Sequence, residues 1–263
     1  MRVAVCIKQV PDTEARLRLD SEGVWIDEED LPFVINESDE YALEEALAIA
    51  EQTEGEVVVF SLGPDRVREA LRKALALGAT RAVHLADPAF DGGDAMATGL
   101  ALARAIAVES FDLVLTGSQS DDVGFASTGS VIAGHLDWPH AWLVMGVEVA
   151  EDGSSARVVR EMESGVNEIL RVSLPAVIEV QAGINHPRYA SLRGIMQAKK
   201  KPIDVKSLQD LELDEADLGD NSRLVWQSLE LPAAREGGRI IEGTAEEAAA
   251  ELARVLREEA KVI

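Results

Sequence analysis

Short apolar runs alternate with amphipathic segments through the first half of the chain. The runs are rich in valine and leucine, as in strands buried on both faces, and they lie at 3–7, 57–63, 82–85 and 111–117. Apolar positions recur at helical spacing in the intervals at 37–53, 64–78 and 94–108. In the second helix, Pro64 stands at the start and Gly78 just past the end. This order predicts an α/β fold with a doubly wound, mostly parallel, Rossmann-like sheet.

Alternation of apolar and polar positions predicts further β structure. Residues 16–26 should form a small hairpin around a turn at 20–23, ahead of the first helix. Past Trp138 and Pro139 the pattern is all β, and four segments should extend the sheet, at 142–149, 156–161, 168–172 and 176–183.

The last third of the chain has a different character. Residues 184–202 fit neither period and concentrate basic residues, which indicates a functional loop. From Asp204 the chain is acidic and weakly patterned, 223–229 suggests a short strand, and Thr244 opens a capping box before an amphipathic helix. We therefore predict an α/β domain at 1–203, which includes a loop at 185–202, and a C-terminal arm at 204–263 that docks on a partner subunit.

Composition and charge narrow the class of protein. Hydrophobic residues make up 47% of the chain and aromatic residues only 4%, as expected for parallel strands under alanine-rich helices. The formal net charge of −23 would repel nucleic acid and anionic membranes, so we expect neither nucleic-acid binding nor membrane insertion. The single cysteine, Cys6, and an N-terminus without a signal-peptide pattern predict a reducing cytoplasm.

The segment at 116–139 is the candidate ligand site. A strand runs through small and acidic residues into a helix start, and such a junction favours a phosphate through its free N–H groups and the helix dipole. An ordinary βα turn is the alternative, because the glycine patterns of the P-loop and the Rossmann fingerprint are lacking. Asn36, before the first helix, is placed as an N-cap or a loop donor.

The sequence contains no recognisable catalytic motif. There is no GxSxG or HExxH motif, and the spacing of His135, Asp137 and His140 does not match a zinc site, so no metal is expected. The adjacent acids Asp121 and Asp122 suit capping or hydrogen bonding better than acid/base catalysis. These features indicate a nucleotide-binding component of an assembly that is not itself an enzyme.

Three segments of the chain resemble the β subunit of electron-transfer flavoproteins. They are AGHLDWP at 133–139, VREMESGVNEILRVSLPAVIEV at 159–180 and NHPRYASLRGIMQAKKKP at 185–202, and Asn36 and SLGP at 61–64 fit the same family. The resemblance implies a heterodimer with an α subunit that holds most of one FAD, and one AMP bound in the β subunit. Electrons would come from flavoprotein dehydrogenases, such as acyl-CoA dehydrogenases, and pass to a quinone oxidoreductase or another acceptor.

The resemblance also implies which residues act. Those that would bind the cofactor AMP are Cys6, Asn36, Leu62, Asp122, Ser127, Thr128, Gly129 and Ala133. Those that would dock partner dehydrogenases lie in the recognition loop at 185–202, and they are Arg188, Tyr189, Leu192, Arg193, Ile195 and Met196. Leu192 would be the apolar anchor, with the arginines steering the encounter. The alternative is that Leu192 packs beneath its own loop.

Two other functions stay open from the sequence. In electron-bifurcating members of the family a second FAD takes the place of AMP, although SQSDDVGFASTG at 118–129 does not favour that pattern. A stand-alone nucleotide-binding regulator or an ATP-cleaving enzyme would use the same kind of sheet. ATP pyrophosphatases carry SGGxDS after the first strand, where this chain has KQVPDT.

Overall fold

The fold is built around one large sheet. The structure, a computed structural model, describes residues 1–218, 224, 227–232 and 237–263. The strands of this described part, in chain order, are β1 (Arg2–Cys6), β2 (Gln9–Pro11), β3 (Phe33–Ile35), β4 (Glu56–Leu62), β5 (Arg81–Leu85), β6 (Leu113–Gly117), β7 (His140–Val149), β8 (Ser155–Glu161), β9 (Asn167–Ser173), β10 (Ala176–Val180) and β11 (Ile203–Lys206).

The helices lie in the connections between strands and in the C-terminal part. They are α1 (Glu37–Gln52), α2 (Val67–Leu77), α3 (Ala95–Ala107), α4 (Thr128–Leu136), α5 (Leu192–Ala198), α6 (Glu215–Leu218) and α7 (Ala245–Arg254). Asp94 caps α3 by accepting bonds from the N–H groups of Met96 and Ala97, and Gly78 ends α2 at φ +142°. Helix α2 begins at Val67, three residues after the predicted start at Pro64.

The sheet has nine strands in the order β11-β5-β4-β1-β6-β10-β7-β8-β9 within the described part of the chain. Strands β1, β4, β5, β6, β7, β10 and β11 pair in parallel, and β8 and β9 extend the edge antiparallel. The chain moves from β1 outward to β4 and β5, and then returns to the other side of β1 with β6. The strand order therefore reverses between β1 and β6, where sheets of this kind bind ligands.

Side chains alternate across the central strands, so each face of the sheet carries its own core. Val3 and Val5 of β1 pack under α1 and α2, whereas Ala4 and Cys6 pack under α3 and α4. The cores are built from valine, leucine, isoleucine and alanine, with few aromatic side chains. This confirms the predicted doubly wound α/β fold and the extension of its sheet by the β-rich segment after Pro139.

Two local predictions were wrong. Residues 16–26 form no hairpin of strands, since only one bridge joins Leu19 to Ile26, and the nearby antiparallel ribbon pairs β2 with β3. The alternating side chains at 16–19 stay largely exposed, so no core face fixes a strand there. The loop at 185–202 is not wholly irregular, because α5 lies inside it, capped by a 3.0 Å bond from the N–H of Gly194 to Ser191 Oγ.

The α/β domain extends past the predicted boundary at 203. Strand β11 pairs with β5, and four leucines after it are buried in the core under α3, namely Leu208, Leu211, Leu213 and Leu218. Part of the segment at 223–229, which the sequence suggested as a strand, lies outside the described residues. Helix α7 begins at the predicted capping box of Thr244 and Glu247, and none of its residues is buried.

Candidate functional site

Asn36 lies at the switch between β1 and β6 and organises the loop that follows β6. Its Nδ2 donates to the carbonyl oxygen of Gln119 at 2.9 Å, and its Oδ1 accepts from the N–H of Asp121 at 2.8 Å. Asn36 is 1% exposed and makes no side-chain cap to α1. Of the two predicted roles, the structure therefore assigns it that of a loop donor.

A buried carboxylate ties the ends of the two central strands together. Asp39, in the first turn of α1, accepts from the N–H of Gly117 at 2.8 Å and from the N–H of Lys8 at 2.7 Å. Burial raises the pKa of Asp39 to about 7, against the opposing effect of these two hydrogen bonds. The neighbouring Ser38 hydroxyl donates to the Gln119 carbonyl at 2.7 Å, so α1 holds the loop through several side chains.

The two adjacent acids of the loop hold different elements. Asp121 Oδ2 accepts from the N–H of Glu37 at 3.1 Å, at the first residue of α1. Asp122 pairs with Lys8 Nζ at 2.7 Å, and Lys8 also reaches Ser120 Oγ at 3.4 Å. Partial burial acts to raise the pKa of Asp122, but the bonds from Lys8 and Ser120 outweigh it, and the pKa lies below its ordinary value. Both acids therefore act as hydrogen-bonding residues, as the sequence predicted.

Helix α4 points its N-terminus into this edge of the sheet. Its N-cap residue, Ser127, makes no side-chain capping bond, so the first-turn N–H groups are open to an anion. The loop before it bends through positive φ at Gly124 (+60°) and Ala126 (+50°). Thr128 and Gly129, both predicted cofactor contacts, form the first turn of this helix.

Gly129 has no room for a side chain because α4 lies directly over Glu179 of β10. A Cβ at Gly129 would lie 2.5 Å from the carboxyl carbon of Glu179. Glu179 is 2% exposed, and its Oε1 lies 2.6 Å from Nε2 of His140 at the start of β7. The Glu179–His140 pair therefore forms the floor beneath the α4 N-terminus.

Three predicted residues lie on the apolar side of the site. Cys6, at the end of β1, and Ala133, in α4, belong to the same buried cluster, and Leu62, at the end of β4, packs against it. Burial raises the pKa of the Cys6 thiol above its ordinary value, so Cys6 is a protonated core residue.

The structure thus gathers the predicted residues in three connected groups at one sheet edge. Four residues that support the site were not among those predicted from the sequence, namely Lys8, Ser38, Asp39 and Glu179. Asp39 resembles a solvent-facing acid in ESDEY, and Glu179 is one polar residue in an apolar run. The presence of Glu179 in a buried strand was the available signal, because a buried polar side chain needs a hydrogen-bond partner.

The loop at 185–202, predicted from the resemblance to be a recognition loop, presents apolar side chains to solvent. Tyr189, Leu192 and Met196 are 98%, 83% and 71% exposed, and Ile195 is also exposed. The alternative in which Leu192 packs beneath its own loop is therefore excluded. Arg188 and Arg193 differ from each other: Arg188 pairs with Glu44 and Glu51, whereas Arg193 is exposed and has no ion pair with any residue that the structure describes.

The part of the chain that the structure describes holds no group of three or more His, Cys, Asp or Glu side chains that could bind a metal ion. Over the same residues, no helix has the length and apolar character needed to cross a bilayer.

Comparison with known proteins places the chain in a family. The family model "Electron transfer flavoprotein domain" matches residues 23–211. The electron transfer flavoprotein subunit beta of Methylophilus methylotrophus is 42% identical over 98% of both chains. That of Thermoanaerobacterium thermosaccharolyticum is 39% identical over 94% of this chain and 95% of its own. A third relative, the caffeyl-CoA reductase-Etf complex subunit CarD of Acetobacterium woodii, is 39% identical over 93% of each. The chain belongs to the electron transfer flavoprotein family, as a β subunit with a part in electron transfer.

Proposed function

We propose that this chain pairs with an α subunit, holds one AMP as a structural ligand, and helps to carry electrons from flavoprotein dehydrogenases to a quinone oxidoreductase or another acceptor. Acyl-CoA dehydrogenases are the donor class we favour. The FAD would be held mainly by the α subunit and would supply the redox chemistry when bound. The β chain would contribute position, electrostatics and docking, without being an enzyme itself.

The observation that carries the proposal is the convergence of Asn36, the 118–127 loop and the α4 N-terminus at the switch between β1 and β6. A mononucleotide has an anionic end and a flat apolar end. The uncapped first turn of α4 suits a phosphate, with Ser127, Thr128 and Gly129 around it. The apolar cluster suits an adenine, with Cys6, Leu62 and Ala133 lining it.

The nucleotide would have a structural role. The loop that would bind it also links β6 to α1 through Asn36, Ser38 and Asp121. A ligand that fixes this loop therefore stabilises the centre of the sheet, by binding only the folded state. None of these side chains lies in an arrangement of nucleophile and base that would cleave the nucleotide.

The recognition loop would dock the electron donors. Leu192 and Met196 are presented on one face of α5, with Tyr189 beside them in sequence. Burial of one such side chain in a partner pocket is worth about 1.5–3 kcal/mol. We propose that Leu192 is the anchor and that Tyr189, Ile195 and Met196 complete the contact.

The C-terminal arm would hold the α subunit. Helix α7 has an apolar stripe that includes Leu252, and no residue of the helix is buried against the rest of the described chain. An amphipathic helix of this kind is stabilised by a partner that covers the stripe. Because the chain as far as Leu218 belongs to the α/β domain, we narrow the predicted arm from 204–263 to 237–263 and propose that it docks on the partner subunit.

A second FAD in place of AMP is the alternative within the family. It is favoured by the relationship to the CarD subunit, whose name places it in a caffeyl-CoA reductase–Etf complex. The identity to this relative equals that to several plain β subunits, so the count of cofactors must decide between the two.

The test is to purify the chain together with its α subunit and extract the cofactors with acid. One flavin and one AMP per heterodimer are expected, together with reduction of the flavin by an acyl-CoA dehydrogenase and its substrate. Two flavins and no AMP would establish the alternative. A complex without flavin would refute the electron-carrier proposal.

A further inference from the structure

The recognition loop carries five arginine and lysine side chains, and the structure divides them into two groups. Three project from the loop surface without an ion pair to any described residue, namely Arg193, Lys199 and Lys200. The other two, Arg188 and Lys201, turn inward and bind the domain. A shared role in attracting a partner does not account for the second pair.

Arg188 binds two carboxylates on one face of helix α1. Its Nε and Nη2 donate to the two oxygens of Glu44 at 2.9 Å and 3.0 Å, and its Nη1 donates to Glu51 at 2.5 Å. The N–H of Arg188 also donates to Glu44 at 3.0 Å. This bidentate geometry depends on the planar fork of a guanidinium, which a lysine lacks.

The charge of Arg188 is already compensated within the chain. The bonds to Glu51 and Glu44 raise the pKa of the guanidinium, and the bond from Arg188 lowers the pKa of Glu51. One positive charge with two negative ones leaves this cluster net negative. It therefore cannot attract an acidic partner surface as a lone arginine would.

The other end of the loop is fixed to helix α2. Lys201 Nζ donates to the carbonyl oxygens of Leu75 and Ala79, at 3.1 Å and 2.6 Å, where α2 ends. In return, Arg72 of α2 donates to the carbonyl oxygens of Ala198 and Lys201 at 2.6 Å and 2.7 Å. Helix α5 presents Leu192 and Met196 to solvent and lies close to α2 at Gly194. It thus lies between two fixed points, with Arg188 on one side and Lys201 on the other.

We propose that Arg188 is a positioning residue that clamps the recognition loop to α1 and so holds Leu192 outward, while Arg193, Lys199 and Lys200 supply the steering charge. This inference rests on the docking role proposed above for Leu192. It reassigns Arg188, which the sequence placed among the residues that meet the partner. The gain for docking is pre-organisation, because a loop already in its bound form loses less entropy on association.

Two changes separate a clamp from a steering charge. Arg188→Lys keeps the charge but loses the fork, so a clamp is weakened and a steering charge is preserved. Glu44→Gln removes a negative charge beside Arg188, so a steering role predicts faster encounter and a clamp predicts weaker docking. Arg193→Gln is the matched control, since it removes a free cation from the same loop.

The first measurement needs no partner enzyme. Hydrogen exchange of the amides at 186–197 is followed in the αβ complex with its cofactors bound. Arg188→Lys, Arg188→Gln and Glu44→Gln should speed exchange by about tenfold or more, whereas Arg193→Gln should leave it unchanged. Unchanged exchange in the Arg188 variants would overturn the clamp.

The second measurement uses an acyl-CoA dehydrogenase, with its substrate, as the electron donor and the αβ complex as acceptor. The clamp variants should raise KM for the complex roughly three- to tenfold at unchanged kcat and flavin content, because only part of the population has a competent loop. Arg193→Gln should instead flatten the dependence of kcat/KM on ionic strength. If Arg188→Lys and Glu44→Gln had the same KM as the complex without substitutions, the positioning role of Arg188 would be refuted. If the complex without substitutions accepted no electrons from the dehydrogenase, the proposed docking role of Leu192 would be refuted. The exchange data would still test whether Arg188 fixes the loop to α1.

Discussion

Replacing Gly129 with alanine tests whether α4 must lie directly on Glu179. The new Cβ would be 2.5 Å from both the Cγ and Cδ atoms of Glu179, about 1 Å closer than a normal contact between carbon atoms. Glu179 cannot withdraw freely, because it is buried and bound to His140. Helix α4 must therefore move away from the sheet, and its first turn moves with it.

The magnitude can be set against a matched control in the same helix. A Cβ at Gly134 meets nothing within 4 Å, so Gly134→Ala should stabilise the protein by about 0.5–1 kcal/mol through helix propensity alone. Overpacking of a buried contact costs about 1–3 kcal/mol, which exceeds that gain. Both variants gain the same helix propensity, so the overpacking cost alone should make Gly129→Ala less stable than Gly134→Ala, by about 1–3 kcal/mol.

The assay is thermal and urea unfolding of the αβ complex, combined with acid extraction of the AMP that we propose it binds. At about 2–4 °C per kcal/mol, the two variants should differ in Tm by several degrees, and Gly129→Ala should also lose AMP. Introducing Gly129→Ala into a Glu179→Ala background should remove most of its cost, because the clashing side chain is gone. Equal stability and equal AMP content in the two glycine variants would refute the close packing of α4 on Glu179.

Three further predictions concern the buried acid, the recognition loop and the arm. Folding raises the pKa of Asp39 from about 4 to about 7, so the folded protein binds this proton more tightly than the unfolded chain. The free energy of unfolding should therefore fall between about pH 4 and pH 7, by up to about 1.4 kcal/mol per pH unit. Urea unfolding of Asp39→Asn over the same pH range should lack this decrease, and an identical pH dependence in the two proteins would contradict the prediction. Gly194→Ala would place a Cβ 2.3 Å from the carbonyl oxygen of Ala76, so α5 should shift. The KM of the complex with its electron donor should then rise roughly threefold or more, without loss of the proposed AMP, whereas the control Gly134→Ala should leave this KM unchanged. Deleting residues 244–263 should weaken binding to the α subunit by about tenfold or more in analytical ultracentrifugation, and undiminished affinity would show that α7 is not part of that interface.

The elements that sequence reasoning placed well are those with strong periodic patterns. The central strands are continuous apolar runs, and because both faces are buried, the limits of each run define the strand. The ends of β1 and β4 agree with the prediction to within one residue. Helix α5 was missed although Leu192, Ile195 and Met196 have helical spacing. The pattern is normally read as a buried face, whereas here it faces solvent, and Gly194 lowers helix propensity within it.

The candidate site was predictable in its location but not in its supporting contacts. The resemblance identified Asn36 and the 122–133 segment, because those positions carry recognisable motifs. The partners of Asp39 and Glu179 come from distant parts of the chain, and local pattern contains no information on such pairs. Their identification required the register of β6 and β10.

The strand order also sets the sequence in which pairing can occur as the chain is synthesised. Strand β1 emerges first, yet its neighbours β4 and β6 follow about 50 and 110 residues later. Strand β7 joins the sheet only through β10, which is made after it, whereas β7, β8 and β9 can pair with one another at once through short turns. At synthesis rates of roughly 5–20 residues per second, β10 emerges about 10–40 seconds after β1. Until then, no strand joins β6 to β7, and the part of the sheet that ends at β6 is separate from the part formed by β7, β8 and β9.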